Sequence, residues 1–409
     1  MNILLINHYA GSSELGMEFR PYYLAKEWVK LGHTVTIVGG SYSHLRHEQP
    51  KVKGAFTNES KEGINYIWIK TISYKGNGAK RVLSFFNFVF GLFFFSKKLL
   101  KISNPDCVIA SSTYPLDIFP AKLLARRAGA KLCFEVHDLW PLTLILLGGY
   151  SERHPLIRIL QYSENYAYKN ADVVVSMLGN AKAYMIIHGM AENKFVHIPN
   201  GYFEGDLLQD LALPLEHKIC LDKLRKEGKT LIGYAGGHSV SNALMTLIDV
   251  AEILRGNMEL AFVLVGDGIE KNRLMEEVES RGLVNVKFLP RISKRAIPLL
   301  LERFDILYLG WSYSPLYEHG ISPNKLIDYM LAAKPIIHAV SSKVDLVEEA
   351  DCGFSVPSNK PKLIAEAIER LHKLDKGTKH RMGLRGASYA HDNLNYKTLA
   401  IRFLNAVHP

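Results

Sequence analysis

The sequence predicts an α/β protein of two Rossmann-like domains, each a doubly wound parallel sheet. Its 409 residues suit two domains of about 200 residues each. In both halves short apolar strands alternate with stretches of helical periodicity, a pattern that requires parallel strands with helices on both faces. A polar stretch between Gly201 and about Thr230 separates the two series. Because open sheets of this kind bind ligands at the carboxyl ends of their strands, we expect the two domains to face each other across a ligand-binding cleft.

The first series is predicted over residues 1–205. Glycines follow two helix-period stretches, Phe19–Lys30 and Leu116–Ala128, where a helix is expected to stop. The strand candidates are Asn2–Asn7, Thr34–Gly39, Tyr66–Lys70, Cys107–Ser111, Lys131–Val136, Val173–Met177 and Phe195–Ile198.

The second series is predicted over residues 206–385, followed by a terminal helical segment over 386–409. The periodicity of Tyr396–Val407 predicts the terminal helix, for which packing back on the N-terminal domain is one arrangement. The strand candidates are Leu231–Ala235, Ala261–Val265, Val286–Leu289, Ile306–Leu309, Pro335–Val340 and Phe354–Val356, and the helix candidates are Ala243–Leu254, Ile269–Arg281 and Lys325–Ala332.

The composition is that of a globular protein with a basic surface. The formal charge of +10 is compatible with nucleic acid, an anionic membrane surface or an anionic small substrate as partner. No helix-turn-helix, zinc-finger or RNA-binding signature occurs, so we expect no nucleic acid. The four dispersed cysteines indicate a reducing, cytoplasmic compartment, and the apolar N-terminus has the pattern of a buried first strand and not of a signal peptide.

A phenylalanine-rich segment, Val82–Phe95, departs from this globular pattern. It carries seven phenylalanines, and lysines and arginine flank it on both sides. A helix of this length spans roughly 21 Å, less than the ~30 Å core of a bilayer. We therefore expect residues 82–101 to contact a membrane surface peripherally. The alternative is a core helix or a helix at a dimer contact.

The loop that follows the first predicted strand is a candidate anion site. Gly11, Gly16 and Glu18 precede a helix N-terminus, where free N–H groups and the helix dipole favour negative charge. The spacing is not that of a dinucleotide-binding fingerprint, which argues against a nicotinamide cofactor. An ordinary strand-to-helix turn is the alternative.

Ionisable residues also stand where the strand Lys131–Val136 ends. Glu135 lies within the strand, and His137 and Asp138 follow it. Buried ionisable groups are costly unless they are paired or used. We expect His137 to contact a sugar hydroxyl or the developing charge of a reaction, and Asp138 to orient His137 or to bind the ligand. A satisfied core histidine is the alternative.

The segment from Glu318 to Met330 is the richest in candidates. We predict Ser322 as helix N-cap with Pro323 at the first helical position. Asn324 and Lys325 then lie in the first turn, where a cation is unfavourable unless a diphosphate binds beside it. Asp328 lies one turn further on and is predicted to reach ribose hydroxyls. The alternative is an ordinary capped helix.

Further candidates follow strands of the second domain. Gly236 and Gly237 allow a ligand to approach the backbone closely, and Arg291 and Lys294 offer charge to phosphates. The chain contains no Asp-x-Asp pair, which favours neutralising a leaving diphosphate with helix N-termini and basic side chains over using a metal ion. We therefore expect neither a metal nor another cofactor.

Taken together, these motifs resemble glycosyltransferase family 4, retaining enzymes of the GT-B fold. The marks are Gly16, Ile198-Pro199-Asn200-Gly201, Val265-Gly266-Asp267-Gly268 and the segment PNKLIDYM from Pro323 to Met330. The segments EVHDLWP and GISPNKLIDYM are similar to those of a bacterial subgroup that includes N-acetyl-L-fucosamine transferases of O-antigen and capsule assembly.

This resemblance implies a UDP-linked nucleotide-sugar donor and a lipid-linked saccharide acceptor at the inner face of the cytoplasmic membrane. It implies that His137 is the active-site histidine, that Lys325 holds the diphosphate and that Asp328 binds the ribose. The chain departs from the family where two glutamates often stand eight positions apart, since Gly320 and Asp328 occupy these positions. The Arg and Lys pair that many members carry after the first strand of the second domain is also missing, and Arg291 or Lys294 are candidates to replace it.

Three other functions stay open at this point. A sugar-nucleotide epimerase or hydrolase of the same fold needs no lipid acceptor. A non-catalytic binding partner would bind a nucleotide sugar or glycolipid without turnover. An oxidoreductase is disfavoured by the missing dinucleotide fingerprint.

Overall fold

The computed structural model describes residues 1–16, 19–76, 78–206 and 212–408. The chain divides into two compact units. Unit 1 contains Met1–Gly201 and the terminal segment that starts at Tyr396, and unit 2 contains Tyr202–Asn395. The divisions thus fall four residues before the predicted boundary at 205 and ten residues after the one at 385.

Unit 1 is built on an eight-stranded sheet of order β3-β4-β2-β1-β5-β6-β7-β8. Neighbouring strands are parallel except for β3 and β4, and the strand order reverses between β1 and β5. Ligands of doubly wound sheets bind at this kind of reversal, the switch point. The strands are β1 (Asn2–Ile6), β2 (Thr34–Gly40), β3 (Phe56–Lys61), β4 (Ile64–Ile69), β5 (Cys107–Ala110), β6 (Lys131–Val136), β7 (Val173–Ser176) and β8 (Phe195–His197).

The antiparallel edge strand β3 was not predicted. Its sequence FTNESK is largely polar and solvent-facing, so it lacks the apolar run that marks the other strands. It joins β4 through a two-residue turn in which Glu62 and Gly63 both have positive φ, 51° and 79°. Such turns match the twist of a hairpin, and the Glu-Gly pair was the available signal.

Helices cover both faces of this sheet. They are α1 (Phe19–Lys30), α2 (Ala79–Phe94), α3 (Ser96–Ser103), α4 (Ile118–Ala128), α5 (Leu142–Leu146), α6 (Pro155–Asn170) and α7 (Lys182–Ile187). Within the described ranges no single helix is long and apolar enough to cross a membrane. Helices α2 and α3 have the necessary length and composition only as a pair, and they are bent by 65° relative to each other.

Unit 2 is built on a six-stranded sheet of order β11-β10-β9-β12-β13-β14, in which every described pairing is parallel. Its switch point lies between β9 and β12. The strands are β9 (Thr230–Ala235), β10 (Leu260–Val265), β11 (Val286–Leu289), β12 (Ile306–Gly310), β13 (Ile336–Ala339) and β14 (Gly353–Val356). Both faces of β10 are buried, as expected for a central parallel strand.

The helices of the second half complete the fold. They are α8 (Leu215–Lys226), α9 (Leu244–Ile253), α10 (Lys271–Ser280), α11 (Ile297–Leu301), α12 (Asn324–Leu331), α13 (Leu346–Glu349), α14 (Pro361–Lys373), α15 (Lys376–Asn393) and α16 (Tyr396–Val407). Helix α16 belongs to unit 1 and packs against α1, where the indole N–H of Trp28 donates to the carbonyl of Ala400 at 3.0 Å.

Candidate functional site

The switch point of unit 1 brings together the loops that follow β1 and β5. The Asn7 amide donates to the carbonyl of Ser111 at 2.7 Å, and the backbone N–H of His8 donates to the Ser112 hydroxyl at 3.1 Å. These contacts fix Ser111 at the carboxyl end of the sheet. Its hydroxyl points towards the end of the neighbouring strand β6.

Glu135 forms the charged centre of this site. It lies at the end of β6 and is completely buried. The guanidinium of Arg20, from α1, contacts its Oε1 through Nε at 2.9 Å. Burial by itself raises the pKa of Glu135, but the charge of Arg20 and the hydrogen bonds of His137 and Ser111 outweigh it and bring the pKa to about 2. Glu135 is therefore an anion at neutral pH.

His137 is held by Ser111 and Glu135. Its Nε2 lies 3.0 Å from the Ser111 hydroxyl and 3.3 Å from Oε2 of Glu135. The Ser111 hydroxyl lies 2.6 Å from the same carboxylate and has one proton, which it donates there. Both groups that face Nε2 therefore accept, and Nε2 carries a proton. The side chain of His137 keeps 9% of its surface exposed, so it is fixed in orientation yet reachable.

Nε2 of His137 donates to Glu135 and Ser111. The predicted orienting role of Asp138 stays a prediction. The Asp138 side chain is accessible to solvent but lies in a recess surrounded by protein atoms. This burial raises the pKa of Asp138, opposed by the nearby His137. A ligand-binding role for Asp138 stays a prediction.

Arg20 also connects Glu135 to the segment Ile198–Gly201. Its Nη1 and Nη2 donate to the carbonyls of Pro199 and Ile198 at 2.6 and 3.0 Å. The Asn200 side chain accepts from the hydroxyl of Tyr396 at 2.8 Å, on α16. One buried arginine thus ties the carboxylate beneath His137 to the last residues before unit 2.

The predicted anion loop is only partly described. The carbonyl of Gly11 accepts from the Tyr66 hydroxyl at 3.1 Å. Gly16 has a φ of 86°, which favours glycine, and its N–H donates to the carbonyl of Ser12 at 2.9 Å. Glu18 lies outside the described residues. An anion-binding role for this loop stays a prediction.

At the switch point of unit 2, the loops after β9 and β12 touch. The backbone N–H of Ser312 donates to the carbonyl of Ser241 at 3.0 Å. Gly266, after β10, packs so closely on the β9 loop that an added Cβ would lie 1.9 Å from the carbonyl oxygen of Gly236. The glycines of the segment Val265–Gly268 therefore serve loop packing here.

Lys325 extends from the first turn of α12 into this switch point. Its Nζ donates to the Tyr234 hydroxyl at 3.0 Å and to Oδ1 of Asn242 at 2.6 Å. The aromatic rings of Tyr234 and Trp311 lie 5.1 and 6.0 Å from the same atom. In the described part of the chain no carboxylate lies within ion-pair distance of this ammonium group. Burial lowers the pKa of Lys325 to about 8.

Gly236 and Gly237 both contribute to this arrangement. A Cβ at position 236 would lie 3.0 Å from Nζ of Lys325, so the lysine occupies space that only glycine leaves. The carbonyl of Gly237 accepts from the Tyr234 hydroxyl at 2.7 Å and from the Asn242 amide at 2.9 Å. The two groups that hold Lys325 are thus themselves held by the glycine loop.

The predicted cap of α12 is wrong by one residue. Pro323, and not Ser322, is the N-cap, and the helix begins at Asn324. Pro323 has an extended ψ of 130° and makes no side-chain cap hydrogen bond itself. The backbone therefore enters the helix after the proline, which places Lys325 at the second helical position.

Asp328, Lys294 and Arg291 lie at different distances from this centre. Burial raises the pKa of Asp328 to about 6, opposed by the charge of Lys294. Lys294 also approaches Asp206, with Nζ 3.8 Å from Oδ2. Arg291 is exposed. Lys294 therefore lies near the carboxylates of Asp206 and Asp328, whereas the Lys325 ammonium lies against the loop after β9.

Comparison with known proteins identifies the family. Residues 16–202 match the family described as Glycosyltransferase Family 4, and residues 221–388 match Glycosyl transferases group 1. The chain belongs to glycosyltransferase family 4. The relatives include the probable glycosyltransferase WbjE of Pseudomonas aeruginosa, 23% identical over 70% of this chain and 71% of that protein. The putative colanic acid biosynthesis glycosyl transferase WcaI of Escherichia coli K12 is 25% identical over 68% of this chain and 69% of that protein.

Solved structures confirm the GT-B fold of this family 4 glycosyltransferase. The HepE protein of Anabaena, in complex with UDP and glucose, is 16% identical and superposes with a TM-score of 0.64 over 99% of this chain and 98% of that chain. WaaG, a glycosyltransferase involved in lipopolysaccharide biosynthesis, is 13% identical and has a TM-score of 0.64 over 99% of both chains.

Several residues of the two sites were not singled out from the sequence. Ser111 is the last residue of a predicted strand, and Trp311 comes two residues after another, so their positions at strand ends were the available signal. Arg20, Tyr234 and Asn242 gave no comparable signal, because their roles depend on partners far away in the sequence. No group of three or more His, Cys, Asp or Glu side chains in the described ranges is arranged to hold a metal ion.

Proposed function

We propose that this glycosyltransferase moves a sugar from a UDP-linked donor to a lipid-linked saccharide in surface polysaccharide biosynthesis, with retention at the anomeric carbon. The sugar we propose is an N-acetylated deoxyhexosamine. The names of WbjE, WcaI and HepE in complex with UDP and glucose support this class of reaction. The single observation that carries the proposal is Lys325 at the switch point of unit 2.

Lys325 has the properties expected of a residue that binds a phosphate group. A partly buried ammonium group is costly unless an anion compensates it. Its contacts are two neutral oxygens and two aromatic rings, which hold the side chain in place without neutralising its charge. The dipole of α12 also favours negative charge at its first turn, beside Lys325. A diphosphate would supply the missing negative charge, and Asp328 one turn further on would bind the ribose.

No metal ion is part of the proposed mechanism. The leaving diphosphate gains negative charge as the glycosidic bond breaks, and a fixed ammonium with helix N–H groups stabilises that charge. The absence of an Asp-x-Asp pair from the sequence supports this reading. The proposed donor site therefore depends on Lys325 in the place that a cation takes in metal-dependent transferases.

His137 is the proposed contact of unit 1 with the reacting sugar. Its Nε2 proton is committed to Ser111 and Glu135, and this fixes the plane of the ring. A ring held in this orientation suits an interaction with a hydroxyl or with charge that develops during transfer. Unit 1 is the proposed acceptor-binding unit.

The proposed acceptor is membrane-bound, and α2 provides the contact. Phe90 and Phe94 are 67% and 82% exposed on one side of this helix, and Leu83 is exposed on the same side. The exposed lysines Lys97 and Lys101 follow on α3. Exposed aromatic side chains next to basic ones are typical of a peripheral contact with an anionic bilayer. We propose that the enzyme acts at the inner face of the cytoplasmic membrane.

Thermal unfolding with a panel of nucleotides tests the donor site. The panel is UDP, GDP, ADP, TDP and NAD, each with and without EDTA. A ligand at a hundred times its dissociation constant stabilises a protein by about 2.7 kcal/mol. We expect UDP to raise the melting temperature equally with and without EDTA. Stabilisation by NAD alone, or by none of the five, would overturn the proposal, and a UDP effect that EDTA abolishes would overturn its metal independence.

A further inference from the structure

A buried chain of hydrogen bonds fixes Trp311, and it has no part in the proposed roles of Lys325, Asp328 and His137. Its indole N–H donates to Nε2 of His338 at 3.0 Å. On the other side of that ring, Nδ1 lies 2.9 and 3.0 Å from the two carboxylate oxygens of Asp345. The His338 and Asp345 side chains are 1% and 2% exposed.

The chemistry of the three groups fixes their orientation. An indole nitrogen is a donor only, so Nε2 of His338 must accept and the ring proton sits on Nδ1, facing Asp345. Asp345 in turn caps α13 by accepting from the backbone N–H of Val347 at 3.0 Å. The chain of hydrogen bonds therefore runs from the start of α13 through β13 to the loop after β12, and each member has one orientation.

The hydrogen bond to His338 leaves Trp311 with an apolar surface towards the switch point. The indole N–H, the only polar group of the side chain, is bonded to His338, so the rest of the side-chain surface consists of ring carbon atoms. Nζ of Lys325 lies 6.0 Å from the ring, and the Tyr317 ring packs against it at 5.7 Å. Whatever anion binds Lys325 will have this indole as a neighbour.

The segments around Lys325 come from both sides of β9, whose Tyr234 contacts the Lys325 ammonium. Lys294 follows β11, on one side of β9 in the sheet, and its charge acts on Asp328. Trp311 follows β12, on the other side of β9, and is bonded to β13. In a nucleotide sugar the diphosphate separates the nucleoside from the sugar. With the nucleoside directed to Asp328, the sugar is directed to Trp311, where an aromatic ring suits the C–H face of a pyranose.

We propose that Trp311 is a specificity-determining residue that forms the wall of the sugar subsite, and that the His338–Asp345 pair positions it there. This inference rests on the proposed function, because it requires a nucleotide sugar on Lys325. It adds that the affinity gained from the sugar, over that of the nucleoside diphosphate alone, depends on Trp311.

Isothermal titration with UDP and with UDP-glucose, UDP-galactose and their N-acetylamino counterparts tests this inference. We expect Trp311→Leu to bind UDP as the wild type does but to lose about 5- to 30-fold in affinity for the preferred UDP-sugar, in line with about 1–2 kcal/mol for an aromatic contact. Trp311→Phe, which keeps a ring, should recover most of this loss. Tyr313→Leu, an exposed aromatic two residues further along the same loop, is the matched control and should change neither affinity.

The positioning role has its own measurements. His338→Leu removes the acceptor for the indole and should reproduce part of the loss, whereas His338→Gln retains an acceptor and should not. The fluorescence difference between wild type and Trp311→Phe isolates the signal of Trp311, and we expect UDP-sugar to change it more than UDP does. This readout applies even if the leucine variants unfold.

The outcomes separate the two proposals. If the wild type binds neither UDP nor any UDP-sugar, the proposed function fails and this inference fails with it. If the wild type binds a UDP-sugar more tightly than UDP and Trp311→Leu keeps the same ratio of affinities, the donor site stands and the assignment of Trp311 is overturned. A Trp311 signal that responds equally to UDP and UDP-sugar also overturns it.

Discussion

Replacing Lys325 by methionine is the most direct test of the donor site. Methionine keeps most of the aliphatic length of lysine, so it fills the space beside Gly236 while it removes the charge. Loss of a charge-assisted contact to a diphosphate costs about 1.5–3 kcal/mol, which corresponds to a roughly 10- to 150-fold weaker affinity for UDP. Lys226→Met, an exposed lysine on α8, is the matched control and should leave the affinity unchanged.

The pKa of Lys325 adds a second signature. An ammonium with a pKa of about 8 is roughly nine-tenths protonated at pH 7 and one-tenth protonated at pH 9. Because only the cation attracts the diphosphate, the affinity of the wild type for UDP should be nearly full at pH 7 and fall as the pH rises through 8, by up to about tenfold per unit. The Lys325→Met protein should show no such decline.

The same substitution should not destabilise the unliganded protein. Burial lowers the pKa of Lys325 from 10.5 to about 8, so the folded state holds the proton less tightly than the unfolded state does. Lys325 therefore costs folding free energy below pH 8, and this cost disappears as the pH rises from 8 towards 10.5. We expect Lys325→Met to melt at the same temperature as the wild type or higher at pH 7.

Isothermal titration with UDP between pH 6.5 and 9.5, together with thermal unfolding of both proteins, measures all three effects. A Lys325→Met protein that binds UDP within about threefold of the wild type, or that keeps the decline above pH 8, would refute the phosphate assignment. A large drop in melting temperature would show that the lysine serves structure and not ligand binding.

The remaining predictions concern unit 1. Glu135→Gln leaves Arg20 buried without its charged partner and should destabilise the protein by about 3–5 kcal/mol, measured by urea unfolding. The folded pKa of about 2 also predicts that wild-type stability from this pair, present above pH 4.5, is lost as the pH falls towards 2, a component that the variant lacks. Burial raises the pKa of Asp117 to about 7, so Asp117→Asn should gain stability relative to wild type as the pH rises from 4 to 7, and equal pH profiles would contradict this. Phe90→Ser with Phe94→Ser should release the protein from anionic vesicles in co-sedimentation, whereas Ile269→Ser, equally exposed in unit 2, should not.

The sequence alone determined the fold class and the positions of most strands and helices. Helices such as Phe19–Lys30 and Tyr396–Val407 were predicted to the residue, because apolar periodicity defines them locally, with a following glycine in the first case. The edge strand β3 was not predicted, because its side chains are mostly exposed and polar and therefore produce no hydrophobic pattern in the sequence. The cap of α12 was misplaced by one residue because the Ser-Pro pair fits the local rule for an N-cap and first helical position, whereas in the folded chain Pro323 is extended and the helix begins at Asn324.

The tertiary structure decided which residues meet. His137 and Lys325 were singled out from the sequence as candidates because they follow a strand or start a helix, where ligands of doubly wound sheets bind. Their partners were not, because Arg20 reaches Glu135 across 115 positions and Lys325 reaches Tyr234 across 91. Strand order determines such meetings, and strand order results from the packing of all helices on the sheet at once. The sequence therefore determined which chemical groups are available, and the fold determined which of them are paired with each other and which are left to a ligand.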